Sequence, residues 1–181
     1  MTFDGTAHNV DRYYDTPRFD LLQQAVFVRV RNDHQLEFKF NEQGETAHRQ
    51  STERVFSLFP DPNTCEKMNA LFTRFLPHWS ASSNFSEAVT KNNLAELAYI
   101  NNTREVYVEG AVHLSIDHVE GLGDFLEVEM HCEEDADTNE ALALLHKFIA
   151  GLDLQHIKVG YVELWLRIHN PKAYQLGKYR L

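Results

Sequence analysis

Five stretches of this chain alternate polar and apolar residues with period two, and two of them carry paired like charges on the polar side. In Ala25–Arg31, Val26, Val28 and Val30 alternate with Phe27, Arg29 and Arg31. In Leu36–Phe40, the apolar Leu36, Phe38 and Phe40 alternate with Glu37 and Lys39. Val112–Asp117 sets Val112, Leu114 and Ile116 against His113, Ser115 and Asp117, and Phe125–Met130 sets Leu126, Val128 and Met130 against Glu127 and Glu129. Tyr161–Ile168 repeats the pattern with Val162, Leu164, Leu166 and Ile168. Alternate residues of a strand share a face, so each stretch reads as a strand with two chemically different sides. Glu109-Gly110 and Glu120-Gly121-Leu122-Gly123 are short hairpin connections, which makes their flanking strands antiparallel neighbours.

Helical signals are fewer. From Thr64 as cap, Met68, Leu71, Phe72, Phe75 and Leu76 recur at helical spacing until Pro77 stops the run. A second helix is expected from Thr138, burying Leu142, Leu145, Phe148 and Ile149 and ending at Gly151. A third, weaker one is expected within 85–98. The fold class is therefore α+β, mainly antiparallel β, with the strands forming a closed or nearly closed barrel and a few flanking helices.

The 181 residues, 43% hydrophobic and 24% charged, suit one domain spanning 1–181 with a full core. A formal net charge of −10 leaves no broad basic face, which argues against nucleic acid or an anionic membrane as partner. A small anion is still compatible, because a few converging cations set a pocket's field whatever the outer surface carries. Cys65 and Cys132 form no C-x-x-C pair and read as reduced thiols. With no signal-like N-terminus and no apolar run of bilayer length, the expected location is cytoplasmic.

Any one of these strands, taken alone, is most simply a half-buried edge with its polar side in water. The paired charges point further. Residues i and i+2 of a strand lie roughly 6–7 Å apart, where like charges repel by about 2–3 kcal/mol at an effective dielectric near 20. If the faces are enclosed, Arg29 and Arg31 need an anion, and phosphate oxygens supply one through charge-assisted bonds. Glu127 and Glu129 need a cation, and a hard divalent ion takes oxygen ligands. A metal triphosphate provides both. Lys39 adds a third cation, Arg104 follows Asn102 on one face, and Asp117 joins the glutamates if the next strand lies beside it. The histidines show no H-E-x-x-H motif, and the chain holds neither a G-x-x-x-x-G-K-[ST] loop nor a G-x-S-x-G elbow.

The run Asp11-Arg12-Tyr13-Tyr14-Asp15-Thr16-Pro17, then Leu21-Leu22 and Val28-Arg29-Val30-Arg31, resembles the CYTH superfamily of class IV adenylate cyclases and thiamine triphosphatases. So do Leu36–Phe40 with its Lys39, the segment Ser115–Glu129, and Gly160-Tyr161-Val162-Glu163-Leu164. The resemblance implies a triphosphate tunnel-type barrel of eight antiparallel strands using Mg2+ or Mn2+. It implies that Arg29, Arg31, Lys39 and Arg104 hold phosphates, with Lys39 and Arg104 catalytic, and that Glu127, Glu129 and Asp117 bind metal. The implied partner is ATP, thiamine triphosphate or tripolyphosphate. The family's opening Glu-x-Glu-x-Lys strand has no counterpart before Asp11, Asn102 stands where a lysine is common, and Gly160 replaces a serine. A barrel short of one strand keeps an open edge, which a homodimer could cover. Beside the enzyme reading stand a non-catalytic triphosphate- or polyphosphate-binding protein and a barrel holding an apolar ligand.

Overall fold

The computed structural model describes residues 1–41, 51–132, 138–150 and 154–181. Seven strands follow the order β4-β3-β2-β1-β5-β6-β7 in one sheet. They are β1 (Thr2–Asp15), β2 (Phe27–Arg31), β3 (Gln35–Phe40), β4 (Thr52–Ser57), β5 (Ala95–Glu109), β6 (Val112–Val119) and β7 (Gly123–Met130). The registers from β1 to β4 and from β5 to β7 are antiparallel. Along β1 and β5 the partners run in opposite directions: Met1 N meets Glu109 at 2.9 Å, His8 meets Asn101 at 2.7 Å and Arg12 meets Glu96 at 3.4 Å. β4 and β7 end the order, and among the described residues the sheet does not close on itself.

The helices are α1 (Pro62–Phe75), α2 (Phe85–Lys91), α3 (Thr138–Ile149), α4 (Tyr161–His169) and α5 (Pro171–Leu176). The chain divides into two compact units. The first comprises Met1–Asn9 with Asn101–His156, and the second Val10–Ile100 with Ile157–Leu181.

In the second unit, period two builds the core. Val28 and Val30 of β2, Leu36, Phe38 and Phe40 of β3 and Phe56 of β4 face α1 and α2, which contribute Met68, Phe72, Phe85 and Ala88. Phe38 and Phe72 are fully buried and meet edge-on at 4.6 Å between ring centres. Full burial of each such ring stabilises by about 1.5–3 kcal/mol. Asp61 rather than Thr64 caps α1: its carboxylate accepts from the Asn63 and Thr64 backbone N–H groups, with Pro62 in the first turn. The expected third helix is the short α2, after which the chain enters β5.

Three other expectations change. Tyr161–Ile168 is helical, not a strand. Its buried residues are Val162, Glu163 and Leu166, the i, i+4 set of a helix, and Ile168 is exposed. Glu163 Oε2 accepts the Gly160 N–H at 3.1 Å, and Asn170-Pro171 ends α4. Residues 2–15, given no strand in advance, form the central strand β1. In α3, Leu142, Leu145 and Phe148 are half-buried and Ile149 is exposed, while Gly151 lies outside the described residues. Among the described residues no helix is long and apolar enough to cross a membrane.

Candidate functional site

The polar face of β1–β4, within the second unit, follows from register. Asp11, Arg31 and Gln35 lie in line across β1, β2 and β3; beside them run Tyr13, Arg29 and Glu37, and next to those Phe27, Lys39 and Glu53. Arg29 donates through Nε to Glu37 Oε2 at 2.8 Å, and through Nη1 to Asp11 Oδ2 at 3.1 Å and to the Tyr13 hydroxyl at 3.2 Å. Its Nη2 meets Glu37 Oε2 at 2.6 Å. Arg31 grips Asp11 in a fork, Nε to Oδ1 and Nη2 to Oδ2, both at 2.8 Å. Lys39 Nζ lies 3.1 Å from Glu53 Oε1.

Three cations therefore face three carboxylates, and the arginines have anionic partners supplied by the chain itself. This differs from the expectation that only a bound anion would neutralise them. Asp11 and Glu37 are buried, so without the guanidinium groups they would be costly charges. Burial pulls the Arg29 guanidinium down, but Tyr13, Asp11 and Glu37 outweigh it and its pKa is raised. Burial pushes the Tyr13 phenol up, with Asp11 adding to the effect and Arg29 opposing it. Burial would raise the Glu53 carboxyl, yet Lys39, Arg29 and Arg31 bring it below the usual range.

The two arginines are not equivalent. A guanidinium carries five N–H groups. Among the described residues Arg29 engages four, whereas Arg31 engages two, and its Nη1 comes no nearer than 3.7 Å to Glu37. Arg31 is also the more open side chain, 25% exposed against 16%. At one end of this face Phe27, Lys39 and Tyr179 wall a cavity of about 10 Å³, room for one water at most. Tyr179 is buried there.

In the first unit, Arg104 of β5 lies opposite Asp117 of β6, and Ser115 lies opposite Glu127 of β7. Asp117 is wholly buried. It accepts from Arg104 Nε and Nη2, both at 2.7 Å, and from Asn102 Nδ2 at 2.9 Å. Arg104 Nη2 also contacts Glu127 Oε2. Burial lowers the Arg104 guanidinium, but Asp117 and Glu127 reverse this and its pKa is raised. Both carboxylate oxygens of Asp117 are engaged, so a cation would have to displace Arg104 or Asn102 to reach them. Glu127 keeps Oε1, and Glu129, two residues along β7, has no side-chain hydrogen bond or ion pair among the described residues. Glu129 pairs in register with His113, whose ring stands 5.2 Å from that of His131. Among the described residues no group of three or more His, Cys, Asp or Glu is arranged to hold a metal ion.

The structure thus joins Arg29 with Arg31 in one cluster, with Lys39 two residues from Glu37 on β3, and joins Arg104, Asp117 and Glu127 in another. Sequence reasoning missed Asp11, Tyr13, Glu37 and Glu53 as members. Glu37 was legible, because it alternates with Lys39 in the same stretch. Asp11 and Tyr13 became strand residues only once β1 was recognised, and Glu53 belongs to β4, a strand with one short alternation.

The CYTH domain family model matches residues 1–159. No curated protein matches the chain. Among solved structures, the PH1819 protein of Pyrococcus horikoshii OT3 is similar at 26% identity and a TM-score of 0.63, covering 91% of this chain and 86% of its own. The PH1012 protein of the same organism is 20% identical with a TM-score of 0.56, over 90% of this chain and 85% of its own. A conserved hypothetical protein from Pyrococcus furiosus is 22% identical with a TM-score of 0.53, over 90% and 85%. The two lower-identity structures speak for a shared fold.

Proposed function

The chain belongs to the CYTH domain family, and on that premise we propose that it is a divalent-cation-dependent enzyme acting on a small-molecule triphosphate. The observation that carries the proposal is the Arg29–Arg31 pair, oriented by Asp11 and Glu37 on a half-buried face while Arg31, among the described residues, retains unused N–H donors. Donors fixed before the substrate arrives cost little reorganisation when charge develops on a phosphoryl group. In this reading Arg31 and Lys39 contact phosphate oxygens, and Arg29 is a positioning residue that shares Asp11 with Arg31. Within the first unit, taken by itself, Arg104 held by Asp117 is a second cation able to meet a phosphate.

Within the first unit, taken by itself, Glu127 Oε1 and Glu129 would hold a hard cation such as Mg2+ or Mn2+. Asp117, with its oxygens engaged, serves Arg104 instead. Such an ion, when bound, supplies charge neutralisation and a more acidic attacking hydroxyl or water. If the attacking group is the ribose hydroxyl of ATP, cyclic AMP and pyrophosphate form; if it is water, a phosphate is released. The test is incubation with ATP, thiamine triphosphate and tripolyphosphate, each with Mg2+ and with Mn2+, following cyclic AMP, pyrophosphate and phosphate. Metal-dependent turnover of one of them is expected.

A second reading is a triphosphate-binding protein without turnover. It is favoured by the charge balance of the β1–β4 face, where each cation already has a carboxylate. Binding with no product under either metal would select it.

A further inference from the structure

Away from the charged strand faces, the second unit holds a cavity of about 490 Å³ that neither cluster uses. That size is within the range of small-ligand pockets. Its walls come from the turn after β1, from the residues after α1 and from Asn92 and Asn93 after α2. From these walls we infer a binding site for a nucleoside monophosphate, with the base on Trp79 and the phosphate toward Arg18 and His78.

Trp79 is an immobilised platform. One indole face stacks on the buried Phe72 ring at 3.9 Å and 9°, and Nε1 donates to Asn69 Oδ1 at 2.9 Å. Asn69 is fixed in turn by the Ser82 backbone, on both its N–H and its carbonyl. Trp79 is also among the residues that line the cavity. A base stacks favourably on such a ring whatever its identity, because every base has a π-face.

The polar groups match the edge of a base. Gln23 Nε2 donates to the Arg18 carbonyl at 2.9 Å, and Gln24 Nε2 donates to the carbonyls of Asp20 at 2.7 Å and Phe75 at 3.0 Å. These bonds engage both amide nitrogens and, among the described residues, leave their carbonyl oxygens as acceptors for an exocyclic amino group. The Asn93 amide and the His78 ring make no side-chain hydrogen bond among the described residues. Asn93 holds its place at φ +51°, a left-handed position that asparagine tolerates.

The charge of the cavity sets the phosphate number. Arg18 is the cation on the rim, 79% exposed, and Asp20 lies 3.3 Å from it while accepting from the Thr16 hydroxyl at 2.7 Å. One cation beside one carboxylate suits a single phosphate better than a polyphosphate chain, which Asp20 would repel.

The chain has two tryptophans, so Trp165→Phe leaves Trp79 as the fluorescent reporter. In that background AMP should quench the emission saturably, adenosine should do so about tenfold more weakly, and inorganic phosphate alone should not quench it. Arg18→Ala should bring AMP to the affinity of adenosine. Asn93→Gly, which keeps the left-handed backbone, should weaken both. Saturating tripolyphosphate should leave AMP binding unchanged, so failure of the triphosphate reading would not mimic failure here. Calorimetric titration of the unaltered chain should give the same AMP affinity. No saturable response to AMP, quenching by phosphate alone, or an Arg18→Ala variant that binds AMP as tightly as before would overturn the proposal.

Discussion

Asp117→Asn is the sharpest test of the buried cluster in the first unit. The carboxylate is fully buried and accepts from Arg104 twice, at 2.7 Å, and from Asn102. Removing one member of a buried ion pair costs about 3–5 kcal/mol, chiefly because the partner charge is stranded. Asparagine keeps one acceptor oxygen, and Arg104 retains Glu127 and some contact with water. The expected loss is therefore nearer about 2–3 kcal/mol, the worth of one charge-assisted hydrogen bond plus partial stranding. For a chain of this size that lowers Tm by roughly 5–10 °C. Urea denaturation of Asp117→Asn, Arg104→Met and the double variant completes a cycle. The double variant should be less destabilised than the sum of the single ones by about 1–3 kcal/mol, because each single change strands a charge that the other removes. Additivity within about 0.5 kcal/mol would refute the claim that these groups neutralise one another in the folded chain.

Three further outcomes follow from the geometry. Arg31→Ala should weaken tripolyphosphate binding more than binding of monophosphate, measured calorimetrically; equal losses would count against direct contact with the phosphate chain. Glu129→Gln should abolish metal-dependent turnover and leave the circular dichroism spectrum and Tm unchanged, since this side chain has no structural partner among the described residues; full activity would remove it from the cation site. Burial pushes the Asp15 carboxyl up to about 6 from 3.8, against the pull of the Leu21, Leu22 and Thr16 backbone N–H groups. The folded chain then binds more protons than the unfolded one between these values, so this group's contribution to stability falls as pH rises from about 4 to about 6, by at most about 3 kcal/mol. Asp15→Asn should flatten that part of the urea-derived stability profile, and an unchanged slope would show that the carboxyl titrates normally.

The strands with charged faces were legible because period two is local: Arg29 and Arg31 must share a side wherever the strand lies, and so must Glu127 and Glu129. The same local rule misassigned Tyr161–Ile168. Val162 and Leu166 satisfy both a strand's alternation and a helix's i, i+4 spacing, and burial of Glu163 with its bond to Gly160 settles the matter in favour of helix. It also passed over β1, whose first half is largely exposed and carries no apolar alternation.

Which charges meet was beyond the sequence. Arg31 pairs with Asp11 across 20 positions and Arg104 with Glu127 across 23, contacts fixed by strand order and register. Local patterning determines which side chains share a face, because backbone geometry repeats every two residues. Only the folded sheet decides which faces adjoin, because that depends on the total burial of apolar surface across strands distant in sequence.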